Sequence, residues 1–167
     1  WLVSGKDDTN SNLMNEARLR GVDPERIVFA DRVSNEEYLA RFSAADLFLD
    51  TFYYNAGTTA SDALWAGLPV LTCLGNTYAS RMAGSIVNAA GLPELVTTSH
   101  EEYERLALEL ATQPERLKAI RNKLEDNRMT CPLFDTVRTT RQIERGYIKA
   151  YERHLAGLPP DHIFVEP

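Results

Sequence analysis

The chain has 167 residues, of which 44% are hydrophobic, and a formal net charge of −6 at pH 7. This length and composition are typical of a single globular domain with one sizeable core. Because the basic residues are interspersed with acids and no stretch is long and apolar enough to cross a bilayer, we expect neither nucleic acid nor a membrane as a partner.

Strands and helices alternate along the first hundred residues, which predicts an α/β fold with a doubly wound parallel sheet. The predicted strands are short and nearly all apolar, as expected when helices cover both faces of a sheet. They are residues 1–3, 27–30, 46–50, 70–72 and 95–97. A first helix is predicted over 12–20, closed by Gly21, with Asp7 and Asp8 in a solvated loop before it. Ser34 and Glu37 have the spacing of a capping box, which predicts a second helix that ends near residue 43.

After residue 98 the pattern indicates helices alone. Ser99 and Glu102 form another capping box, and Pro114 suits a first helical position. Residues 115–125 are expected to form a solvated helix face with three apolar side chains inward, Leu117, Ile120 and Leu124. An apolar stripe marks a last long helix and consists of Val137, Ile143, Tyr147, Ile148 and Tyr151. The domain is therefore predicted over 1–156, with an extended tail at 157–167.

The stretch from Asp50 to Thr72 carries the most functional information. It is predicted to run as strand, small-residue turn, helix, turn and strand, and the turn at 55–57 leaves room for a ligand to approach the backbone. Thr58 and Thr59 open the helix, so free N–H groups, hydroxyls and the positive end of the helix dipole face an anion. Open α/β sheets bind ligands at the carboxyl ends of their strands. The pattern therefore predicts a site for the phosphates of a nucleotide sugar.

The same turn also fits a helix start with nothing bound. Thr59 and Asp62 have the spacing of a capping box, with threonine at the N-cap and an acid three residues later. The spacing differs from both the dinucleotide fingerprint and the P-loop, so it supports neither a dinucleotide enzyme nor an ATPase.

Three segments then make the chain recognisable. Residues 55–72 read NAGTTASDALWAGLPVLT, Ala79-Ser80-Arg81 and Pro132-Leu133-Phe134 follow, and the ending runs from Tyr151-Glu152-Arg153-His154 to Pro160-Asp161-His162. Together they resemble the C-terminal catalytic lobe of bacterial-type O-linked N-acetylglucosamine transferases. The resemblance implies the Rossmann-like, C-terminal UDP-sugar-binding lobe of a GT-B glycosyltransferase. Such an enzyme inverts configuration, uses no metal, and moves N-acetylglucosamine from its UDP donor to serine or threonine hydroxyls of a protein or peptide.

The resemblance assigns roles to residues of the turn. Thr58 and Thr59 would stabilise the negative charge that builds on the β-phosphate as UDP leaves, and Asp62 would accept hydrogen bonds from a ribose hydroxyl. Asn55 and Gly57 would line the donor. The family usually has a histidine where this chain has Gly57, so a side chain expected near the donor sugar is missing here while the phosphate donors are kept.

A second group of donor residues is implied at 33–41. By the resemblance, the backbone of Val33 reads the uracil edge, Tyr38 stacks on the base and Arg41 reaches it. Asn35 stands where relatives often have a lysine near the ribose. Considered without the resemblance, the segment is an ordinary amphipathic helix with Tyr38 and Arg41 exposed.

No other catalytic group emerges from the sequence. His100, His154 and His162 lack metal-ligand spacing, and we expect no metal and no cofactor beside the UDP-sugar substrate. Two cysteines, Cys73 and Cys131, suit a reducing compartment without a disulfide framework, so we expect a cytoplasmic protein.

The chain begins directly at a predicted strand, without the strand and turn that usually carry part of the ligand site. We therefore expect a fragment, preceded by a segment with a lysine and a glutamine near the phosphates, by the other lobe of the enzyme, and by tetratricopeptide repeats. Alone it is not expected to catalyse. Two alternatives stay open: a transferase for another donor, such as UDP-glucose to asparagine or a GDP-sugar, and a catalytically silent nucleotide-binding scaffold.

Overall fold

The computed structural model describes residues 1–166, so Pro167, the last residue of the predicted tail, lies outside the described residues. The chain divides into two compact units, Trp1–Arg41 and a larger unit that begins at Phe42. Within residues 1–166, no helix combines the length and the apolar character that crossing a membrane requires.

The first unit is a small βαβα arrangement. Its elements are β1 (Leu2–Val3), α1 (Asp7–Leu19), a 3-10 turn (Pro24–Arg26), β2 (Phe29–Ala30) and α2 (Asn35–Arg41). The two strands pair in parallel, with Leu2 opposite Phe29 and Val3 opposite Ala30. None of residues 1–41, all of which are described, is fully buried. A unit of this size buries too little apolar surface for a core of its own.

The helix α1 begins earlier than predicted. It starts at Asp7 rather than at residue 12, so the prediction of a solvated loop at Asp7 and Asp8 was wrong. Two acids in the first turn are favourable near the positive end of the helix dipole, but they add nothing to the apolar periodicity by which the helix was located. Its predicted end is confirmed, because Gly21 has a φ of +74° just after the helix.

The helix α2 begins as predicted. Ser34 Oγ accepts a hydrogen bond from the Glu37 backbone N–H at 3.3 Å, which confirms the capping residue. The helix ends at Arg41, slightly before the predicted end at residue 43.

The second unit contains a three-stranded parallel sheet in the order β3-β4-β5. The strands are β3 (Phe48–Leu49), β4 (Val70–Cys73) and β5 (Val96–Thr97). Phe48 lies opposite Val70, and Thr72 lies opposite Val96. The helices are α3 (Thr58–Trp65), α4 (Met82–Ala89), α5 (His100–Thr112), α6 (Pro114–Arg128) and α7 (Thr136–Leu155), with 3-10 turns at Phe42–Ala44 and Pro93–Leu95. The predicted α/β fold with parallel strands is confirmed.

The hydrophobic core lies in this second unit and surrounds β4. All four residues of β4 are buried, and α3 contributes Ala60, Ala63 and Leu64. Ile120 and Leu124 of α6 are buried as predicted, and Leu117 packs against the same cluster. The prediction that all strands are covered holds for β4 but not for β1, whose two residues are exposed. In the described sheets only β4 has a strand on each side.

The helices after β5 begin and end close to their predictions. Ser99 Oγ accepts from the Glu102 N–H at 3.1 Å, and the Thr98 N–H and hydroxyl both donate to Glu102 at 3.0 Å. These hydrogen bonds hold the pKa of Glu102 below its usual range. The capping box is thus confirmed, with the glutamate closing on Thr98, and α6 begins at Pro114 as expected.

The last helix and the tail lie side by side. All five predicted stripe residues of α7 are exposed in this chain. The tail has no helix or strand from Leu158 to Glu166 and returns along α7. Lys149 donates to the Phe164 carbonyl at 2.7 Å, and Arg153 donates to the Pro159 carbonyl at 2.6 Å. The tail is thereby fastened to α7 by two cations of that helix.

Candidate functional site

The candidate site is the turn that connects the carboxyl end of β3 to the first residue of α3. It comprises residues 50–59 and lies wholly within the second unit. Asn55, Gly57, Thr58, Thr59 and Asp62, all predicted to bind the donor, are brought together here because they follow one another along the turn and the first part of α3.

Asp50 holds this turn in place. Its side chain is buried, with one oxygen accepting from the Ala56 N–H at 2.8 Å and the other from the Thr72 hydroxyl at 2.7 Å. Thr72 belongs to the central strand β4, so the carboxylate ties the turn to the most buried strand of the sheet. A hydrogen bond to a charged acceptor is stronger than one between neutral groups. Asp50 is therefore a positioning residue, which sequence reasoning did not identify.

Tyr103 of α5 also helps to hold Asp50 in position. Its hydroxyl donates to the backbone carbonyl of Asp50 at 2.9 Å. Burial raises the pKa of the Tyr103 phenol, and the negative charge of Asp50 raises it further, so the phenol stays protonated and remains a donor. The aromatic rings of Tyr103 and Phe52 pack edge to face, with their centroids 5.0 Å apart.

Asn55 is fully buried beneath the turn. Its backbone N–H donates to the Ala79 carbonyl at 2.8 Å, and its side-chain amide donates to the Thr51 carbonyl at 2.6 Å. The side-chain oxygen has no hydrogen-bond partner within residues 1–166. A buried acceptor without a partner is uncommon and calls for a donor from outside. A ligand or a water at the turn can supply that donor.

Thr58 and Thr59 are the first two residues of α3, and both are exposed. The N-cap residue is Gly57, which has no side chain to cap the helix, so the prediction of Thr59 as N-cap was wrong. The helix starts two residues earlier than a capping box with Thr59 at the N-cap requires, and Asp62 is accordingly too far along it for that box. In the described part of the chain, the N–H groups of Thr58 and Thr59 have no backbone acceptor.

This arrangement fits an anion. Two N–H groups without a backbone acceptor and two exposed threonines lie at the positive end of the α3 dipole. The capping box that the spacing of Thr59 and Asp62 allows is not formed.

Gly57 is packed against a methionine that the sequence analysis did not connect with the turn. A Cβ atom added to Gly57 would lie 2.6 Å from the Met82 sulfur. Met82 is half-buried and is the first residue of α4. The Met82 side chain therefore occupies the space into which a side chain at position 57 would extend.

The residues predicted to bind the uracil (Val33, Tyr38 and Arg41) and to approach the ribose (Asn35) belong to the first unit and are described there alone. Val33 is exposed, Asn35 is the first residue of α2, and Tyr38 is half-buried. Arg41 donates to the Asp31 carbonyl at 2.5 Å, which holds the 31–34 loop against the end of the helix. The expectation of an exposed Tyr38 and Arg41, which belongs to the reading without a ligand, is thus not met, since both are half-buried.

An open cavity of about 530 Å³ lies at the end of β3, along the first half of the turn. It is lined by residues 49–54 and Tyr103 and contains none of the predicted donor residues. Tyr53 and Tyr54 are strongly exposed on its rim.

Cysteine and metal-ligand chemistry add little to the site. Cys73 and Cys131 are both free and buried. Among residues 1–166, no three histidine, cysteine, aspartate or glutamate side chains are grouped closely enough to hold a metal ion.

Comparison with known proteins points to one family. The family model described as Glycosyl transferase family 41 matches residues 1–143. An Arabidopsis thaliana protein named "Probable UDP-N-acetylglucosamine--peptide N-acetylglucosaminyltransferase SEC" is 38% identical over 99% of this chain and 17% of its own length. The Caenorhabditis elegans UDP-N-acetylglucosamine–peptide N-acetylglucosaminyltransferase is 38% identical over 98% of this chain and 14% of its own length.

A solved structure agrees with these relatives. A mutant O-GlcNAc transferase of Thermobaculum terrenum superposes with a TM-score of 0.82 and 33% identity, covering 87% of this chain and 28% of that one. The chain thus spans less than a fifth of the length of the two relatives and under a third of the solved structure.

Proposed function

Because the chain belongs to glycosyl transferase family 41, we propose that it forms part of the donor-binding lobe of an enzyme that transfers N-acetylglucosamine from UDP to serine or threonine hydroxyls of proteins. The observation that carries this proposal is the turn at the start of α3, where the Thr58 and Thr59 N–H groups have no acceptor in the described chain. The relatives named for this reaction support the donor and the peptide acceptor.

The chemistry follows from charge. The acceptor oxygen forms a bond to the anomeric carbon while the bond from that carbon to the β-phosphate oxygen breaks, so negative charge collects on UDP. The N–H groups and hydroxyls of Thr58 and Thr59 stabilise this charge, and Asp50 keeps them in place through the Ala56 N–H. The acceptor proton passes to a base outside this chain. Asp62 accepts from a ribose hydroxyl, while Val33, Tyr38 and Arg41 recognise the uracil and Asn35 approaches the ribose.

The wider setting belongs to the same proposal. Cytoplasmic location is supported by two free cysteines, since a reducing compartment keeps thiols unpaired. The upstream lobe and the tetratricopeptide repeats are predictions that residues 1–166 do not address.

The direct test is a donor screen with the full-length protein. We expect release of UDP from UDP-N-acetylglucosamine to be faster than release from UDP-glucose, and GDP-fucose to be inert. Preferred turnover of GDP-fucose would contradict the proposal, and no turnover of any donor, with UDP still bound, would favour a silent nucleotide-binding scaffold.

Nucleotide choice provides a second prediction. UDP is expected to bind the full-length protein at least about tenfold more tightly than GDP, because a guanine in a site fitted to uracil leaves polar groups unpaired, at a cost of about 1.4 kcal/mol or more. Isothermal titration calorimetry measures both affinities. Replacing Tyr38 by leucine should weaken UDP binding through lost stacking. The matched control is Tyr151→Leu, at an exposed tyrosine of α7. Equal affinities for UDP and GDP would rule out uracil recognition.

Metal dependence provides a third prediction. Turnover by the full-length protein should persist in excess EDTA, because helix N–H groups and hydroxyls take the part that a divalent ion plays at other diphosphate sites. Initial rates with and without chelator, at matched ionic strength, measure the effect. Loss of turnover that Mg²⁺ or Mn²⁺ restores would contradict the assignment.

A further inference from the structure

The loop that joins β4 to α4, residues 74–81, lies beside the turn at 50–59. The strands β3 and β4 are parallel neighbours, so the segments that leave their carboxyl ends lie at the same edge of the sheet. One backbone hydrogen bond joins these segments directly, because the Asn55 N–H donates to the Ala79 carbonyl at 2.8 Å. The Ala79-Ser80-Arg81 motif, which carries part of the family resemblance, is thus in contact with the candidate site.

Ser80 closes this loop through its hydroxyl and its backbone. It is buried, with 6% of its surface exposed. Its Oγ accepts from the Thr77 N–H at 3.1 Å and lies 2.9 Å from the Thr77 hydroxyl. Its carbonyl accepts from the Gly75 N–H at 2.8 Å. These hydrogen bonds fix the direction of the peptide group between Ala79 and Ser80, and with it the Ala79 carbonyl.

Gly75 fits into this loop because it has no side chain. A Cβ atom added there would lie 2.3 Å from the Ser80 Oγ and 2.6 Å from the Ser80 Cβ, and hydrogen bonds to Thr77 hold that side chain in place. The Arg81 guanidinium donates to the Gly75 carbonyl at 3.0 Å. The serine and the arginine of the motif therefore close the loop, while its alanine presents a carbonyl to the turn.

The backbone of the turn is held at two successive residues. The Asn55 N–H donates to the Ala79 carbonyl, and the Ala56 N–H donates to Asp50 at 2.8 Å. Asn55 is fully buried, so its N–H depends on this acceptor and not on water. Thr58 follows three positions later, so a shift of Asn55 displaces the first donors of α3. A displacement of about 1 Å at a reacting group can lower a rate about 100-fold.

We propose that Ser80 is a positioning residue of the donor site, which fixes the Ala79 carbonyl and through it the Asn55 N–H and the N–H donors at the start of α3. This rests on the proposed function. The Ser80 hydroxyl bonds within its own loop, to Thr77, so it acts through the backbone and not on the donor. Its contribution is preorganisation of groups that stabilise charge on the departing UDP.

The test uses the full-length protein with UDP-N-acetylglucosamine as the donor. Ser80→Ala should lower the kcat about tenfold while the KM stays within about threefold of wild type, because misaligned donors weaken an interaction that is strongest in the transition state. Ser85→Ala, at an exposed serine of α4, is the matched control and should leave both constants within about twofold. Melting curves ensure that rates are compared at a temperature where every variant is folded.

Two variants at Thr77 test the same hydrogen bonds from an exposed position. The Thr77 hydroxyl accepts from the Ser80 N–H at 3.2 Å, in addition to its contact with the Ser80 hydroxyl. Thr77→Val removes this hydroxyl and should lower the kcat at least about threefold, whereas Thr77→Ser keeps it and should retain the wild-type kcat. Equal kcat values in the valine and serine variants would overturn the inference.

Hydrogen exchange tests the positioning without relying on activity. In the full-length protein without donor, the Asn55 amide should exchange at least about tenfold faster in Ser80→Ala than in wild type, because its acceptor is no longer held, and Ser85→Ala should not change it. Mass spectrometry of peptides that span the turn measures this rate.

The outcomes separate this inference from the proposed function. Unchanged exchange at Asn55 in Ser80→Ala, a kcat within twofold of wild type, or a loss of kcat matched by an equal rise in KM would each overturn the inference and leave the proposed function standing. Failure of the wild-type protein to bind UDP would remove the proposed function, and the positioning role with it, even if exchange at Asn55 responded to Ser80→Ala.

Discussion

Replacing Thr58 by valine is expected to lower turnover of the full-length enzyme by about 100- to 1,000-fold, which corresponds to about 2.7–4 kcal/mol in the barrier. The substitution removes a hydroxyl at the first position of α3 and keeps the side-chain shape. Thr58 is exposed, so the substitution is expected to leave the stability of the fold nearly unchanged. Initial rates and melting curves on the same preparation separate the two effects.

The control variants replace other threonines that lie at the start of a helix. Thr136 is likewise an exposed threonine at the first position of a helix, so Thr136→Val matches Thr58→Val in kind and should leave turnover unchanged. Thr59→Val should reduce turnover without lowering stability, because the N-cap of α3 is Gly57. Wild-type turnover in Thr58→Val would exclude a catalytic role for that hydroxyl. If Thr59→Val also kept wild-type turnover, the turn would be a helix start and nothing more.

Replacing Asp50 by alanine is expected to destabilise the protein by about 2–4 kcal/mol. Hydrogen bonds to a charged group are worth about 1.5–3 kcal/mol each, and two are lost, while removal of a buried charge offsets part of that loss. The Ala56 N–H and the Thr72 hydroxyl are both left without their acceptor. Chemical denaturation measures the free energy of unfolding, and UDP affinity should fall with it because the turn is no longer held to β4.

Two further variants test whether the effect on stability depends on the burial and hydrogen bonds of Asp50. Asp46 lies just before β3, as Asp50 lies just after it, but its side chain is 85% exposed and forms an ion pair with Arg121 at 3.6 Å. Exposed pairs contribute little, so Asp46→Ala should change stability by less than about 1 kcal/mol. Asp50→Asn keeps one acceptor for the Ala56 N–H and should be milder than Asp50→Ala. Equal effects of Asp46→Ala and Asp50→Ala would refute the positioning role of Asp50.

Local signals in the sequence predicted most element boundaries of the second unit. The Ser99 and Glu102 box and the proline at position 114 act through neighbours three or fewer residues away, so one sequence is enough to recognise them. The N-cap of α3 was misplaced by two residues, at Thr59 instead of Gly57, for the same reason. The spacing of Thr59 and Asp62 allows a capping box, but the backbone of Gly57 already begins the helix, and spacing alone does not report that conformation.

The sequence by itself determined the parallel α/β class, the helix that opens with Thr58, and the resemblance to a glycosyltransferase family, because each depends on residues close together along the chain. Only the tertiary structure decided which distant side chains hold the turn in position and pack against it. Tyr103 reaches the Asp50 carbonyl across 53 positions, and the Met82 sulfur fills the space beside Gly57. Such contacts depend on how strands and helices pack, and apolar periodicity and spacing along one chain carry no record of which distant side chains meet.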